Sequence, residues 1–198
     1  MTSLKDIFEF TEMLHQFQQV RRRIWVRGED RRENDWEHSF QTAITAWYVC
    51  NSREDIDLDE RRVIKCALAH DLVEVYAGDT PFREADSQKE KREERAAKKL
   101  QKEFPEFQDL HKSIEAYKNQ STPEAQFVYA LDKIIPFFNV YLNDGRSFKT
   151  DDVDLAELRE HKQDKFKDAP KIEKYYEEMM DIFAKEEDRL FREDTSSK

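Results

Sequence analysis

The stretch that decides the fold is KCALAHDLVEVYAGDTP, at residues 65–81. Its apolar residues recur at helical spacing, which predicts a helix over about 60–76 with its cap at Asp59. Gly78 and Pro81 predict a loop directly after this helix. His70 and Asp71 stand side by side inside the apolar run, and buried polar residues of this kind are candidates for a functional site. The residues expected to face the core are Val63, Ile64, Ala67, Leu68 and Leu72.

Helical spacing also extends through the rest of the chain. Only three glycines and five prolines occur among 198 residues, which favours long helices with short connections over a sandwich or a barrel. Further helices are predicted over about 3–22, 36–51 and 88–103, followed by a short helix that ends near 119. Three more are predicted over about 122–141, 153–165 and 170–191, and a polar loop over 26–35. Candidate caps are Ser3 or Thr2, Ser87 in a capping box with Glu90, and Thr122 before Pro123. The 36–51 helix is expected to turn Phe40, Ala43, Ile44, Trp47 and Tyr48 inward, and the last helix Ile172, Tyr175, Tyr176, Met179, Ile182 and Phe183.

The length and the pattern together predict one domain. A chain of 198 residues can bury a sizeable core, and it shows no internal repeat and no linker. We therefore expect an all-α, single-domain helical bundle over residues 1–198. Its core should span about 10–185, and a tail over about 192–198 should be frayed.

The charge balance excludes some classes of partner. The net charge is −10, so an extended nucleic acid has no electrostatic reason to bind. A small phosphorylated substrate stays compatible if a local basic pocket lies beside a metal ion. Cys50 and Cys66 follow no metal-binding spacing and are expected to be buried thiols of a reducing compartment. Because neither a signal peptide nor a membrane span is apparent, a cytoplasmic protein is expected.

Four residues form a candidate metal site. His70 and Asp71 lie together, His38 lies upstream in DWEHSF, and Asp132 lies downstream in ALDKII. Two imidazoles and two carboxylates suit a divalent cation of the first transition row, and facing helices of a bundle can present such ligands inward. Any one of them alone is more often a structural residue. The set predicts one divalent ion, which is Co, Mn, Zn, Ni or Fe.

These segments resemble a known family. DWEHSF, HDLVEVYAGDTP and ALDKII look like the signature of the HD-domain phosphohydrolases, and the second run is similar to the branch that includes the bacterial 5′-deoxynucleotidases. YLNDGRSF at 141–148 and PKIEKYYEEM at 170–179 also resemble that branch. The similarity spans about 10–185. It implies an all-helical fold with a metal site between helices, one divalent metal and hydrolysis of a phosphate ester.

The resemblance also implies roles for two acids near the metal ligands. In that branch the positions of Glu74 and Asp79 are functional. Glu74 is expected to orient or deprotonate the attacking water, and Asp79 to protonate the leaving 5′-oxygen if its pKa is raised. The alternatives are that Glu74 only holds a ligand in place and that Asp79 is a turn residue before Thr80.

The residues expected to bind the substrate lie in two places. The family has an arginine near a tryptophan, used for phosphate and sugar, and Arg22 or Arg23 with Trp25 fits this pattern better than Arg21 does. The chain departs from the family because it has three arginines and an Ile24 before the tryptophan. Basic residues at a helix end and a core tryptophan are the alternatives. Lys133, directly after Asp132, and Ser39 are weaker candidates.

Other functions remain open at this stage. The predicted activity is hydrolysis of (deoxy)nucleoside 5′-monophosphates to nucleoside and phosphate. The alternatives are a phosphodiesterase or a nucleoside triphosphate triphosphohydrolase with the same ligands, a non-catalytic nucleotide-binding module, and a purely structural protein. Only His111 lies between His70 and Asp132, and this disfavours a two-metal site. The family tends to form dimers, so the resemblance implies a homodimer. Either interface or core roles are open for Phe137, Phe138, Tyr141, Tyr175 and Tyr176.

Overall fold

The computed structural model describes residues 2–80 and 88–192. Helices dominate it, and β1 and β2 form a small antiparallel sheet in which Arg21 pairs with Asn34 and Trp25 with Arg32. The elements are α1 (Leu4–Phe17), β1 (Arg21–Trp25), β2 (Arg32–Asn34), α2 (Asp35–Ser52), α3 (Glu60–Ala69), α4 (Glu74–Ala77), α5 (Lys89–Glu103), α6 (Gln108–Asn119), α7 (Pro123–Leu142), α8 (Arg146–Thr150), α9 (Leu155–Lys162), a 3₁₀ turn (Gln163–Lys165), α10 (Pro170–Lys185) and α11 (Glu187–Phe191).

Local sequence signals set most helix starts. The side chains of Ser3, Asp59 and Thr122 accept hydrogen bonds from the backbone at the starts of α1, α3 and α7, as predicted. Asn34 caps α2 in a reciprocal capping box with Glu37. Ser87 and Pro81, for which a cap and a loop were predicted, lie outside the described residues, as does the tail from 193 onward.

The prediction of one helix over 3–22 is wrong, because α1 ends at Phe17 and residues 21–25 form a strand. The strand sets alternate side chains on opposite faces. Arg22 and Ile24 thereby point inward, while Arg21 and Arg23 are exposed. The predicted polar loop correspondingly contains β2 and the start of α2.

Helix α2 has the predicted bounds but not the predicted inner face. Phe40, Ile44, Trp47 and Tyr48 are exposed, and of the expected core set only Ala43 is buried. The buried side of α2 is largely polar, because it faces the candidate site. Its buried residues are Asp35, His38, Ser39, Thr42, Ala43 and Ala46.

Two further boundaries differ from the prediction. Helix α3 stops at Ala69, so His70 and Asp71 occupy the turn that follows it, and Leu68 is exposed. The last predicted helix is divided into α10 and α11.

Helix α8 was not predicted. It begins after Gly145, whose φ of 74° favours glycine and where a Cβ would overlap the backbone of Leu190.

The main hydrophobic core surrounds α7, the most buried helix. Ile134, Ile135 and Val140 of α7 are fully buried, and Phe183 of α10 packs its ring against that of Phe137 at 5.5 Å. A second cluster joins α1, the turn after α3, α5 and α6. The turn that carries His70 contributes Leu72 and Val73 to this second cluster, and α3 before it packs on α7. No helix in the described ranges is both long enough and apolar enough to cross a membrane.

Candidate metal centre

The four predicted metal ligands converge. His38 comes from α2, His70 and Asp71 from the turn after α3, and Asp132 from the middle of α7. All four are buried, and one ligand atom from each lies within 4.8 Å of the others. Four residues that are spread over positions 38 to 132 of the sequence thus meet at one point between helices, as a metal site in a helical bundle requires.

The hydrogen bonds of the imidazoles prepare them for a cation. His70 Nδ1 lies 2.7 Å from the carbonyl oxygen of Ala67, which can only accept, so Nδ1 carries a proton. His70 Nε2 faces the cluster, 3.1 Å from Asp71 Oδ2, and is buried without a hydrogen-bond partner among the described residues. His38 Nε2 lies 2.8 Å from Asp132 Oδ1. The donor set of two imidazole nitrogens and two carboxylates fits a divalent transition metal.

The electrostatics of the cluster also favour a cation. Burial, followed by the charge of Arg22, lowers the pKa of His38 to about 4, so this imidazole is neutral and able to coordinate. Burial alone would lower the pKa of His70, but the carboxylates of Asp71 and Asp132 outweigh it and raise the pKa to about 10. The position of His70 Nε2 therefore attracts positive charge, either a proton or a metal ion.

Arg22 holds a second group of acids beside the metal ligands. Its guanidinium lies 2.9 Å from Asp71 Oδ2 and 3.1 Å from Asp35 Oδ1, and its Nε lies 3.2 Å from Glu33 Oε1. Oxygens of Asp35, Asp71 and Glu74 lie within 4.8 Å of one another. Burial raises the pKa of Glu33 and of Asp35 to about 7 in each case. Glu33 and Asp35 were not predicted as site residues, because acids near a helix start are common without any function.

The two acids expected to be catalytic border the same site. Glu74 is the first residue of α4, and its Oε2 is buried without a hydrogen-bond partner in the described part of the chain. Burial, reinforced by the charge of Asp71, raises the pKa of Glu74 well above its ordinary value. Burial likewise raises the pKa of Asp79, which is only half-buried.

A cavity of about 890 Å³ opens next to the cluster. Its described wall includes three of the four candidate metal ligands (His70, Asp71 and Asp132) and both acids expected to be catalytic (Glu74 and Asp79). It also includes Arg22, Arg23, Lys133, Lys162 and Tyr117. Burial, followed by the charge of Lys133, lowers the pKa of Lys162 to about 7. Although the whole protein is acidic, this cavity gathers basic side chains beside the candidate metal ligands. Lys162 and Tyr117 were not found from the sequence, since neither belongs to a motif.

Trp25 lies apart from this described wall. Two guanidinium groups lie over its ring, with the Cζ of Arg146 at 3.9 Å and that of Arg32 at 4.4 Å from the ring centre. Its backbone N–H donates to Ser147 Oγ at 3.0 Å. The stacking fixes the β1–β2 hairpin against α8. A role of Trp25 in binding a substrate stays a prediction.

The fold and the cluster define a class of protein. A helical bundle that gathers a histidine, a histidine–aspartate pair and a distant aspartate is the arrangement of an HD domain. The family model described as "HD domain" matches residues 14–173, and the chain belongs to this family. The resemblance and the all-α fold class are thereby confirmed.

Named relatives and solved structures agree with this class. The chain is 33% identical over 138 residues to the human 5′-deoxynucleotidase HDDC2, which covers 65% of this chain and 64% of that protein. The protein of the same name from Xenopus laevis is 29% identical over 134 residues, with 65% of each covered. The chain thus matches just under two thirds of the length of these relatives. A solved structure of a predicted metal-dependent phosphohydrolase from Magnetospirillum magnetotacticum superposes with a TM-score of 0.82 at 24% identity, covering 98% of this chain and 100% of that one.

Proposed function

We propose that the protein is a metal-dependent phosphomonoesterase that hydrolyses (deoxy)nucleoside 5′-monophosphates to nucleoside and phosphate. The observation that carries the proposal is the convergence of His38, His70, Asp71 and Asp132, of which the last three line a cavity that also presents basic side chains. The names of the relatives support the same activity. Of the alternatives considered, a purely structural role does not account for two imidazoles and two carboxylates that converge in the interior.

We assign the four converging residues as the metal ligands. One divalent transition ion held there would supply Lewis-acid polarisation of the phosphoryl group and of a water molecule. The backbone carbonyl of Ala67 fixes the tautomer of His70, so this residue presents Nε2. Arg22 holds the Asp71 carboxylate in place.

The remaining roles follow from position. Glu74 orients the water, which attacks phosphorus as the bond to the 5′-oxygen breaks. Asp79, whose pKa is raised by burial, delivers a proton to the departing 5′-oxygen. The products are then a nucleoside and inorganic phosphate. Lys133 and Arg23, together with Arg22, are proposed to bind the phosphate, and Trp25 the sugar or base.

Phosphate release tests this proposal directly. Purified protein loaded with Co²⁺ or Mn²⁺ is offered a panel of deoxy- and ribonucleoside 5′-monophosphates, and inorganic phosphate is measured. The expected result is release from the deoxynucleotides and a loss of at least about 100-fold in kcat for Glu74→Gln. No release from any of the panel by metal-loaded protein overturns the proposal.

The products separate the alternatives. A phosphodiesterase would release a nucleotide from a diester, and a triphosphohydrolase would release tripolyphosphate from a nucleoside triphosphate. Nucleotide binding that depends on the metal without turnover would indicate a binding module.

The two cysteines form no disulfide, and a reducing, cytoplasmic location is proposed on that basis.

We also propose that the protein forms a homodimer through the outer face of α2. The helices first considered for an interface are occupied in the core, because Phe137 and Tyr176 are buried. On α2, by contrast, large apolar side chains spaced along one side are between 39% and 70% exposed, and from Ser39 to Ser52 the helix has no charged residue. The exposed side chains are Trp36, Phe40, Ile44, Trp47 and Tyr48.

The area of this face suits a pair of identical chains. Taking roughly 200 Å² for each fully exposed side chain of this size, the face offers roughly 500 Å² per chain. Two copies would bury roughly 1,000 Å² from these side chains alone, which is the lower bound of a specific interface. From Ser39 onward this face carries no charge, and Glu37 near its start is paired with Arg31, so local repulsion between two acidic chains is small.

Light scattering at micromolar concentration tests the dimer. We expect a dimer for the wild type and for Phe8→Glu, an exposed control on α1, and a monomer for Trp47→Glu. A monomeric wild type overturns the dimer, and a dimeric Trp47→Glu overturns the assignment to α2.

A further inference from the structure

Tyr117 lies on α6, a helix that contributes none of the four candidate metal ligands. Helix α6 packs against α3 and α7. Its Tyr117 contacts Asp132, which lies in α7, and His70, which directly follows α3. The hydroxyl donates a hydrogen bond to Asp132 Oδ2, and the ring lies 5.1 Å from the ring of His70, centre to centre. One side chain thus contacts an imidazole and a carboxylate of the same cluster.

The two oxygens of Asp132 have different partners. Oδ1 lies 2.8 Å from His38 Nε2 and 3.7 Å from His70 Nε2, so it faces the centre of the cluster. Oδ2 faces the other way and accepts hydrogen bonds from Tyr117 and from Lys133. Rotation of the carboxylate about its last bond would exchange the two oxygens, and the hydroxyl of Tyr117 opposes this rotation.

We infer that Tyr117 is a positioning residue that sets the orientation of Asp132 for metal binding. The inference rests on the proposed metal site but not on the identity of the substrate. Partners behind the ligands of metal sites commonly change metal affinity 10- to 100-fold when they are removed. Tyr117→Phe removes the hydroxyl and keeps the ring against His70, so it isolates the effect on Asp132.

A matched control exists elsewhere in the chain. Tyr76 also donates its hydroxyl to a carboxylate, that of Glu103, and Lys99 Nζ lies 3.8 Å from its ring centre. Tyr76→Phe therefore loses the same type of hydrogen bond without touching a candidate metal ligand. Any general effect of losing a tyrosine hydroxyl on the fold appears in both variants.

The test is a titration with Co²⁺ alone, without nucleotide, against a competing chelator, with the visible spectrum of bound Co²⁺ recorded. We expect Tyr117→Phe to bind Co²⁺ about 10- to 100-fold more weakly with an altered spectrum, and Tyr76→Phe to match the wild type. Melting of the metal-free proteins shows whether each variant folds. Equal Co²⁺ affinities for wild type and Tyr117→Phe overturn the inference and leave the proposed function intact. A lower melting temperature for Tyr117→Phe with unchanged affinity shows a structural role only, and also overturns it.

Failure of the proposed function gives a different result. Wild-type protein that binds Co²⁺ but releases no phosphate overturns the activity and leaves Tyr117 in its positioning role. Wild-type protein that binds no Co²⁺ overturns both. In the phosphate-release assay, the positioning role predicts that Tyr117→Phe needs a correspondingly higher metal concentration to reach half of its maximal rate.

Discussion

Replacing Arg22 by methionine should destabilise the metal-free protein strongly. The guanidinium contacts three carboxylates, those of Glu33, Asp35 and Asp71, and its side chain is only 13% exposed. Methionine keeps much of the volume but removes the charge. Glu33 and Asp35 would then lose their cation in a buried space, and Asp71 would keep only His70, whose Nε2 lies 3.1 Å from Asp71 Oδ2. Breaking a buried ion pair in this way costs about 3–5 kcal/mol of the free energy of unfolding.

The size of this loss should depend on pH. The pKa values of Glu33 and Asp35 are raised to about 7 in the wild type, where Arg22 still opposes the rise. Without Arg22 their pKa values are higher still, so above about pH 7 only the variant holds these protons in the folded state. Stability of the variant is then lost faster as the pH rises, by up to about 1.4 kcal/mol per pH unit for each carboxyl. The deficit should be about 3–5 kcal/mol at pH 8.5 and at least about 1.4 kcal/mol smaller at pH 6.

Urea denaturation of chelator-treated protein, followed by circular dichroism, measures this deficit. Arg62→Met is the matched control, because Arg62 lies in an ion pair with Asp59 and its side chain is 69% exposed. The control should change stability by less than about 0.5 kcal/mol. A deficit of Arg22→Met below about 1 kcal/mol at pH 8.5, or one that does not shrink at pH 6, would refute the electrostatic account of this cluster.

Three further predictions concern the fold. Phe183 is fully buried against the rings of Phe137 and Phe148, so Phe183→Ala should lose about 3–5 kcal/mol in urea denaturation, and a loss below about 1 kcal/mol would contradict this packing. Thr122 caps α7, and Thr122→Ala should lower stability by about 1 kcal/mol, where no change would contradict the cap. Burial raises the pKa of the Cys66 thiol to about 12. The protonated thiol therefore stabilises the folded state fully below the ordinary pKa of cysteine, and this stabilisation is lost as the pH rises towards 12. Between pH 9 and 11 the wild type should therefore lose up to about 1.4 kcal/mol per pH unit more than Cys66→Ala, and identical slopes would contradict the burial of the thiol.

The site was predictable from the sequence because its ligand types sit in a rare local context. His70 and Asp71 interrupt an apolar run that ends at Gly78, so the pair stands out in the sequence. The turn that carries the pair was not predicted, because the helix expected over 60–76 ends at Ala69. Helix starts were also predictable, since Ser3 and Thr122 each accept a hydrogen bond from a residue only three positions further on.

What the sequence could not show depends on contacts between distant residues. Tyr117 lies fifteen positions before Asp132 and has no local signal, because its role comes from the packing of α6 on α7. The strand around Arg22 pairs with β2 and sets the guanidinium against Glu33, Asp35 and Asp71. The helical spacing before it contains no sign of these contacts.

The predicted inner face of α2 was wrong because contacts between distant residues also decide which side of this helix is buried. Apolar spacing alone favours burying Phe40, Ile44 and Trp47, but the opposite side of the helix carries His38, which must face the candidate metal site. A helix that serves a buried polar site can therefore expose its more apolar side. Hydrophobic periodicity gives the period of such a helix but not its orientation.

The central claim is that His38, His70, Asp71 and Asp132 hold one divalent metal ion. Elemental analysis of the wild type and of His70→Ala, each loaded with Co²⁺ and then freed of loosely bound metal, tests it most directly. The prediction is about one equivalent of metal per chain in the wild type and almost none in the variant, since loss of one ligand should cost several kcal/mol of binding. A folded His70→Ala protein that retains the full metal content would contradict the account.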